Sequence, residues 1–303
     1  MRFSAGCLLT MILLTTTLVS PVISAPKVIK VGTKPESVCR GFGNLLYVTM
    51  INGEEPGDGG INVIDGESVR EFCRGMNSPK GIAFVGDHLV VADETTVWKV
   101  DAAGKAVKLA EKASFPAPIE FLNDVAASLD NSSVYVTEMS NPGWMFDPDG
   151  ERQLWPVDSD QAVPPGTACV YRVTLDGKVS LAVPSGDPLM PGPNGVTVTG
   201  TPDHEVLVMG DFFTGNIVSW DGSQFELLGT GMRGADGVTV RGHNLYVSSW
   251  PLGKVWKYNR DSKQLTVLAE NFTTAADFWF DDQTKQLIIP DMLEGTLTFL
   301  PLE

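Results

Sequence analysis

Along most of its length this chain alternates apolar and polar residues in short runs. Leu45–Met50, Val134–Glu138 and Asn244-Leu245-Tyr246-Val247-Ser248-Ser249 show the pattern, and Gly43-Asn44 and Asp65-Gly66 supply turns between such runs. Half-buried strands joined by tight connections look like this, and a sustained helical period is hard to find. Six stretches then repeat one design: Pro35-Glu36-Ser37-Val38, Pro79-Lys80-Gly81-Ile82, Leu122-Asn123-Asp124-Val125, Pro193-Asn194-Gly195-Val196, Ala235-Asp236-Gly237-Val238 and Ala276-Asp277-Phe278-Trp279. Each sets a small or apolar residue, then one polar residue, ahead of an apolar run. The polar members stand 44, 43, 71, 42 and 41 residues apart. A period of roughly 40–45 residues with several short strands per unit predicts propeller blades. The expected fold is therefore all-β, a six-bladed β-propeller whose six polar residues face one another round a central channel.

The first blade is expected at Glu36–Gly41, Leu45–Met50, Ile61–Ile64 and Ser68–Cys73, and the second at Gly81–Val85, His88–Ala92, Thr96–Val100 and Val107–Leu109. The last unit supplies only three strands, at 277–281, 286–290 and 296–300. Residues 26–32 alternate as a strand should yet precede the first unit. The N-terminal strand is thus expected to complete the last blade, which removes an exposed edge and ties down both termini. The long step of 71 residues reflects an insert at 140–167, between Val134–Glu138 and Ala168–Val173 of the third blade. It holds five prolines with Trp144, Phe146 and Trp155. That composition reads as a lid over the mouth or, as the alternative, an ordered surface excursion.

Residues 1–25 combine Arg2, an apolar run from Cys7 to Leu14 and the segment Val22-Ile23-Ser24-Ala25, the pattern of a secretory signal peptide. Secretion or a periplasmic address follows, with a single domain over 26–303 and no later segment apolar enough to span a membrane. The formal net charge of −15 repels phosphate backbones, so nucleic acid is not an expected partner, whereas cations are gathered. Without the leader, Cys39, Cys73 and Cys169 remain. Three thiols make no disulfide framework and their spacing suits no zinc site. One bridge plus one free thiol stays open, with a Cys39–Cys73 pair disfavoured by its placement on the first and last strands of one blade.

Charge and phase together point to chemistry at the channel. Glu36, Asn123, Asn194 and Asp236 offer only oxygen, with two formal negative charges among them, the donor set that hard divalent cations prefer. Ca²⁺ takes about 6–8 such ligands, so four from the protein leave room for water and substrate. Calcium is expected first, with magnesium or manganese as alternatives, because zinc, copper and nickel favour nitrogen or sulfur. Any one of these residues alone is better explained by structure; turn preference accounts for Asn194-Gly195 and Asp236-Gly237 but not for Glu36-Ser37 or Asn123-Asp124.

Taken in order at blade spacing, Pro35-Glu36, Asn123-Asp124-Val125, Pro193-Asn194-Gly195-Val196 and Asp236-Gly237-Val238 resemble the senescence-marker-protein, gluconolactonase and luciferin-regenerating-enzyme-like propellers of the calcium-dependent phosphotriesterase superfamily. More distantly they resemble diisopropylfluorophosphatase and serum paraoxonase. The resemblance spans nearly all of the chain after its leader. It implies that Glu36, Asn194 and Asp236 are core ligands of a divalent ion and that Asn123 is a ligand or substrate-contacting amide. It further implies hydrolysis of a lactone or related ester, with Asp236 as general base or nucleophile.

Lys80 matches no ligand of that family. A buried ion pair with Asp277 or Asp124 is one reading and orientation of an anionic substrate the other. Asp211 and Trp250, with Asp291 and Glu294, are expected at the mouth, Asp211 and Trp250 as substrate contacts. His88, His204 and His243 sit beside turns on the face away from the mouth, so none is expected to serve as a base. Asp147-Pro148-Asp149-Gly150-Glu151 lacks EF-hand spacing and reads as a turn. No Gly-x-Ser-x-Gly elbow, nucleotide-binding glycine loop or zincin helix occurs. Two functional classes remain, a metal-dependent hydrolase acting on a small-molecule lactone or ester and a non-catalytic ligand- or protein-binding propeller.

Overall fold

The computed structural model describes Met1 and residues 25–302. Residues 2–24, with nearly all of the expected signal peptide, lie outside the described residues. Six four-stranded antiparallel sheets follow one another. Blade 1 holds Pro35–Arg40, Leu46–Met50, Gly59–Asp65 and Ser68–Met76, and blade 2 holds Pro79–Val85, His88–Asp93, Thr96–Val100 and Ala106–Glu111. Blade 3 holds Leu122–Ala127, Ser133–Glu138, Cys169–Thr174 and Val179–Val183. Blade 4 is Pro193–Thr201, His204–Asp211, Ile217–Trp220 and Phe225–Gly229, and blade 5 Ala235–Arg241, Asn244–Ser249, Lys254–Asn259 and Gln264–Ala269. Trp279–Asp281, Gln286–Asp291 and Thr296–Pro301 make three strands of blade 6, and Lys27–Lys30 adds the fourth, outermost, by pairing antiparallel with Thr296–Pro301. The ring closes as expected. Among the described residues no helix is long and apolar enough to cross a membrane.

The turns explain the hairpins. Gly86 and Asp87 both adopt positive φ, 52° and 61°, which matches the tight primed turns that suit strand twist. Apolar side chains between neighbouring sheets form the core: Val90, Val97, Val136 and Tyr171 pack between blades 2 and 3, and Val208, Ile217, Val238 and Trp256 between blades 4 and 5. Cys39, Cys73 and Cys169 are buried within this packing as free thiols, so the bridge left open by the sequence is not formed.

The first strands surround the channel. Val38, Ile82, Val125, Val196, Val238 and Phe278, one from each blade, line a common cavity of about 310 Å³ at the end away from the mouth. In blades 1 to 5 the first strand carries the same register shift against the second, between Pro35 and Val38, Pro79 and Ile82, Leu122 and Val125, Pro193 and Val196, and Ala235 and Val238. The extra residue of a bulge re-aims a side chain, and each bulge spans the polar residue of its repeat. Asn194-Gly195 and Asp236-Gly237 therefore lie inside bulged strands and not in turns, which corrects the turn explanation. The glycines serve close approach: a Cβ on Gly195 would stand 1.9 Å from the Asp236 carbonyl oxygen, and one on Gly81 would stand 2.5 Å from Asp124 Cα. Blade 6 differs, its first strand starting at Trp279 instead of 277. Asp277 precedes the ladder, where Ala276 N–H donates to Pro290 O at 3.0 Å.

Candidate metal centre at the channel mouth

The bulges need partners for their extra backbone groups, and buried hydroxyls supply them. In blade 1 the Ser37 N–H donates to Thr49 Oγ1 at 2.9 Å, and that hydroxyl donates onward to the Lys80 carbonyl at 2.7 Å. In blade 3 the Asp124 N–H donates to Thr137 Oγ1, which donates to the Asn194 carbonyl, both at 2.8 Å. In blade 5 Gly237 N–H, Ser248 Oγ and the Ala276 carbonyl repeat the relay at 2.8 Å and 2.8 Å. A hydroxyl can accept and donate at once, so one side chain completes a bulge and ties down the backbone of the next blade, at the ring residue itself for Lys80 and Asn194 and one residue before it at Ala276.

The ring side chains so placed are almost wholly buried: Glu36, Asn123, Asn194 and Asp236 are 3–5% exposed and Lys80 8%. All five line one cavity of about 160 Å³ with Ile51, Phe121, Met139, Pro142, Phe146, Phe212, Trp250 and Met292. Glu36 Oε2, Asn123 Oδ1, Asn194 Oδ1 and Asp236 Oδ1 each lie buried without a hydrogen-bond partner. Asn123 turns its oxygen toward the channel because its amide nitrogen donates to Met139 Sδ at 3.1 Å. Buried polar atoms are ordinarily satisfied, and an orphan calls for an unseen ligand or ion. Four such oxygens on four blades, at one cavity, fit a hard divalent cation. Among the described residues no group of three or more His, Cys, Asp and Glu side chains forms a metal cluster; this set is half amide.

Electrostatics lead the same way. Burial, then Asp277 and Asp124, push the Asp236 carboxyl well above the usual range, and Lys80 only partly offsets this. Glu36 is raised by burial and by Asp236, again with Lys80 opposing. Asp277 is raised by burial and by Asp124, and burial lifts Asp124 to about 6 against hydrogen bonds from Val196 and Val125. Four carboxyl groups crowd one channel with a single ammonium nearby. Such a cluster stabilises added positive charge.

Asp124 and Asp277 line the far cavity and not the mouth. Neither pairs with Lys80: Ser37 Oγ donates to Asp277 Oδ2, and Val125 N–H and Val196 N–H donate to Asp124 at 2.6 Å each. The ion-pair reading of Lys80 is corrected accordingly. Its Nζ donates to Ser78 Oγ at 3.2 Å and lies 4.9 Å from the Phe121 ring centroid.

Asp211 is also corrected. It does not line the mouth; its oxygens accept from Gly192 N–H at 2.6 Å and from Thr214 N–H and Oγ1 at 2.7 Å, which ties down loops. Asp291 holds Thr273 N–H at 2.7 Å and Thr274 N–H at 3.1 Å in the same manner, and Glu294 accepts from Thr273 Oγ1 at 2.9 Å. Trp250 does face the cavity. The 140–167 insert is folded, with a 3₁₀ turn at Pro142–Met145 and a bridge between Phe146 and Leu154. Pro142 and Phe146 form part of the wall, Phe146 lying 6.0 Å from Phe212 and 6.5 Å from Trp250, ring to ring. Asp147 to Gly150 is a turn, Gly150 N–H donating to Asp147 O at 3.1 Å. The histidines stay clear: His88 Nδ1 pairs with Gly86 O at 2.7 Å and His243 with Asp261 at 2.9 Å. Wall residues Ile51, Phe121, Met139 and Met292 were not expected from the sequence, although Phe121 stands directly before the Leu122-Asn123 repeat.

No family model matches this chain, and no curated protein does. Solved structures do. A gluconolactonase from Xanthomonas campestris superposes with a TM-score of 0.60 at 19% identity, over 93% of this chain and 99% of that one. A chain of a nidogen/laminin complex also reaches 0.60, at 15% identity over 79% of this chain and 81% of that one. At these identities the likeness establishes the fold.

Proposed function

We propose that this chain is an exported, divalent-metal-dependent hydrolase of the gluconolactonase type, acting on a lactone or related ester. The observation that carries the reading is the set of four unpartnered oxygens, Glu36 Oε2, Asn123 Oδ1, Asn194 Oδ1 and Asp236 Oδ1, at one small cavity. The name of the Xanthomonas neighbour agrees with it. These four side chains would hold the ion, calcium in preference to magnesium or manganese because every donor is a hard oxygen. Once bound, such an ion polarises the carbonyl oxygen and eases deprotonation of water.

The chain's own residues supply the rest. The Asp236 carboxylate takes a proton from the attacking water as the water oxygen bonds to the carbonyl carbon; the bond from that carbon to the ring or ester oxygen then breaks, and Asp236 returns the proton to the leaving alkoxide. Phe121, Phe146, Phe212 and Trp250 exclude bulk water from the cavity, which strengthens the electrostatics within it. A non-catalytic ligand- or protein-binding propeller is the second reading, and the nidogen/laminin neighbour shares the same scaffold. A binding face has no need of buried, unpartnered oxygens, so the hydrolase is preferred.

The expected result is that untreated protein retains one tightly held divalent ion by elemental analysis, and that a chelator abolishes lactone or arylester turnover. Asp236→Asn is expected to lower kcat by roughly 10²–10⁴-fold, the usual weight of a positioned proton acceptor, with the circular dichroism unchanged. Normal turnover in that variant ends the proposal. Export rests on residues 1–25; a mature protein that still begins at Met1 would remove it.

A further inference from the structure

The least explained charge in the molecule is Lys80. It is 8% exposed and stands on the bulge that aims ring residues into the channel. Among the described residues no carboxylate lies within the 4.0 Å of an ion pair from its Nζ. A buried ammonium with one neutral acceptor is expensive to maintain, yet this one is carefully positioned. Ser78, its acceptor, is fixed by its own N–H donating to Asp93 Oδ1 at 2.6 Å, and Asp93 also holds Asn77 N–H at 3.0 Å and Trp98 Nε1 at 2.9 Å. One of the three ammonium donors meets Ser78, and the ammonium lies over the Phe121 ring, 4.9 Å from its centroid.

Charge and surface in the cavity are complementary. Of the charged side chains that line the mouth, a divalent ion balances Glu36 and Asp236 and leaves the Lys80 ammonium, while Asp124 and Asp277 line the far cavity. The wall beyond the ring is ring, thioether and aliphatic surface, from Phe121, Phe146, Phe212, Trp250, Met139 and Met292. A polyhydroxylated ligand would bury hydroxyls against carbon, each at a cost. The volume of about 160 Å³ is well below the roughly 300–1,000 Å³ of drug-sized sites.

Resting on the hydrolase reading, we propose that Lys80 is the specificity-determining residue of this site, receiving a carboxylate carried by a small substrate whose body is apolar and aromatic. A sugar lactone is then a poor substrate.

The test compares three calcium-loaded proteins, the unaltered chain, Lys80→Met and Lys80→Arg, on 3-acetoxybenzoate, its uncharged methyl ester and δ-gluconolactone. The unaltered chain should prefer the anion over the methyl ester by about tenfold or more in kcat/KM, the scale of one charge-assisted contact. The preference should reside in KM, vanish in Lys80→Met and return in Lys80→Arg. Equilibrium binding of 3-hydroxybenzoate and of gluconate, followed by tryptophan fluorescence, gives a readout without turnover. Binding of 3-hydroxybenzoate should weaken about tenfold in Lys80→Met, and gluconate should bind less well than 3-hydroxybenzoate. Turnover without a charge preference, or with δ-gluconolactone favoured, overturns this inference and leaves the hydrolase standing. Lys80-dependent binding with no turnover on any substrate supports the anion site and overturns the hydrolase. Absence of both overturns both. Should Lys80→Met fail to fold, the anion-to-ester ratio of the unaltered chain and of Lys80→Arg decides.

Discussion

Three hydroxyls hold the ring in place, and they show how much one side chain can fix. Thr49, Thr137 and Ser248 are penultimate on the second strands of blades 1, 3 and 5, each satisfying a bulge N–H and a carbonyl of the next blade. Thr137→Val keeps the shape and leaves the Asp124 N–H and the Asn194 carbonyl unpaired. A loss of about 1–3 kcal/mol is expected, with weaker divalent-ion binding, while Thr137→Ser retains both; urea unfolding and ion titration measure these. Buried carboxyls give the second prediction at this scale. Burial lifts Asp211 and Asp124 to about 6, above the unfolded value of about 3.9. The folded chain then holds more protons between those values, so their contribution is complete below about pH 4 and is lost as pH rises through about 6. Hydrogen-bonded exposed carboxyls such as Asp221, held at about 2, act with the opposite sign but below that window. Chelated protein should thus lose about 3 kcal/mol or more from pH 4.5 to 7; a flat or rising unfolding midpoint contradicts this. Asp211 misled the sequence reading because an acidic residue beside aromatics looks like a binding residue. Yet Asp93, Glu138, Asp211 and Asp291 all end second strands, and that repetition marks them as loop ties.

At the scale of the element, the bulge converts a strand into a site. In a regular strand, side chains alternate between faces; one extra residue redirects the polar member of each repeat. Strand existence and type were legible in the alternation, and most boundaries moved by one or two residues. The bulge itself was not, because a register shift is a relation between two strands and leaves no mark in one of them. Gly195 is its strictest requirement. Gly195→Ala sets a Cβ against the Asp236 carbonyl oxygen, backbone that cannot rotate away. A stability loss of about 1–3 kcal/mol or more is expected, with loss of divalent-ion binding because Asp236 is displaced. Gly210→Ala, whose Cβ would meet the Ala235 methyl at 3.1 Å, should cost less. Thermal unfolding of the two variants side by side reads the difference; equal costs would mean that close approach at Gly195 matters little.

For the whole molecule, closure is the governing event. Lys27–Lys30 pairs with Thr296–Pro301 from Lys27 opposite Phe299 to Lys30 opposite Thr296, and Val31 N–H continues to Gly295 O at 2.9 Å. Ile29 and Val31 pack with Val38, Val48 and Ile288, joining blades 6 and 1. Deletion of residues 26–31 removes both apolar side chains, roughly 3–6 kcal/mol of burial, and opens the outer strand of blade 6 as an edge. A lower unfolding temperature and concentration-dependent association by light scattering are expected. A monomer of unchanged stability would show that blade 6 closes without this strand. The six-fold order also explains why residues as far apart as Glu36 and Asp236 share a cavity, since equivalent points of successive blades return to one axis.

The sequence by itself determined the strands, their grouping into six units, the closing role of the N-terminal strand and the membership of Glu36, Asn123, Asn194 and Asp236 in one phase, because periodicity and repeat length are properties of a single chain read alone. Only the tertiary structure decided which oxygens are left without partners, that Lys80 answers to Ser78 and Phe121 and not to Asp124 or Asp277, that Asp211 faces a loop, and that the cavity wall is aromatic and thioether. Those outcomes depend on contacts between blades, and hydrogen bonds and burial exist only once two distant segments have met.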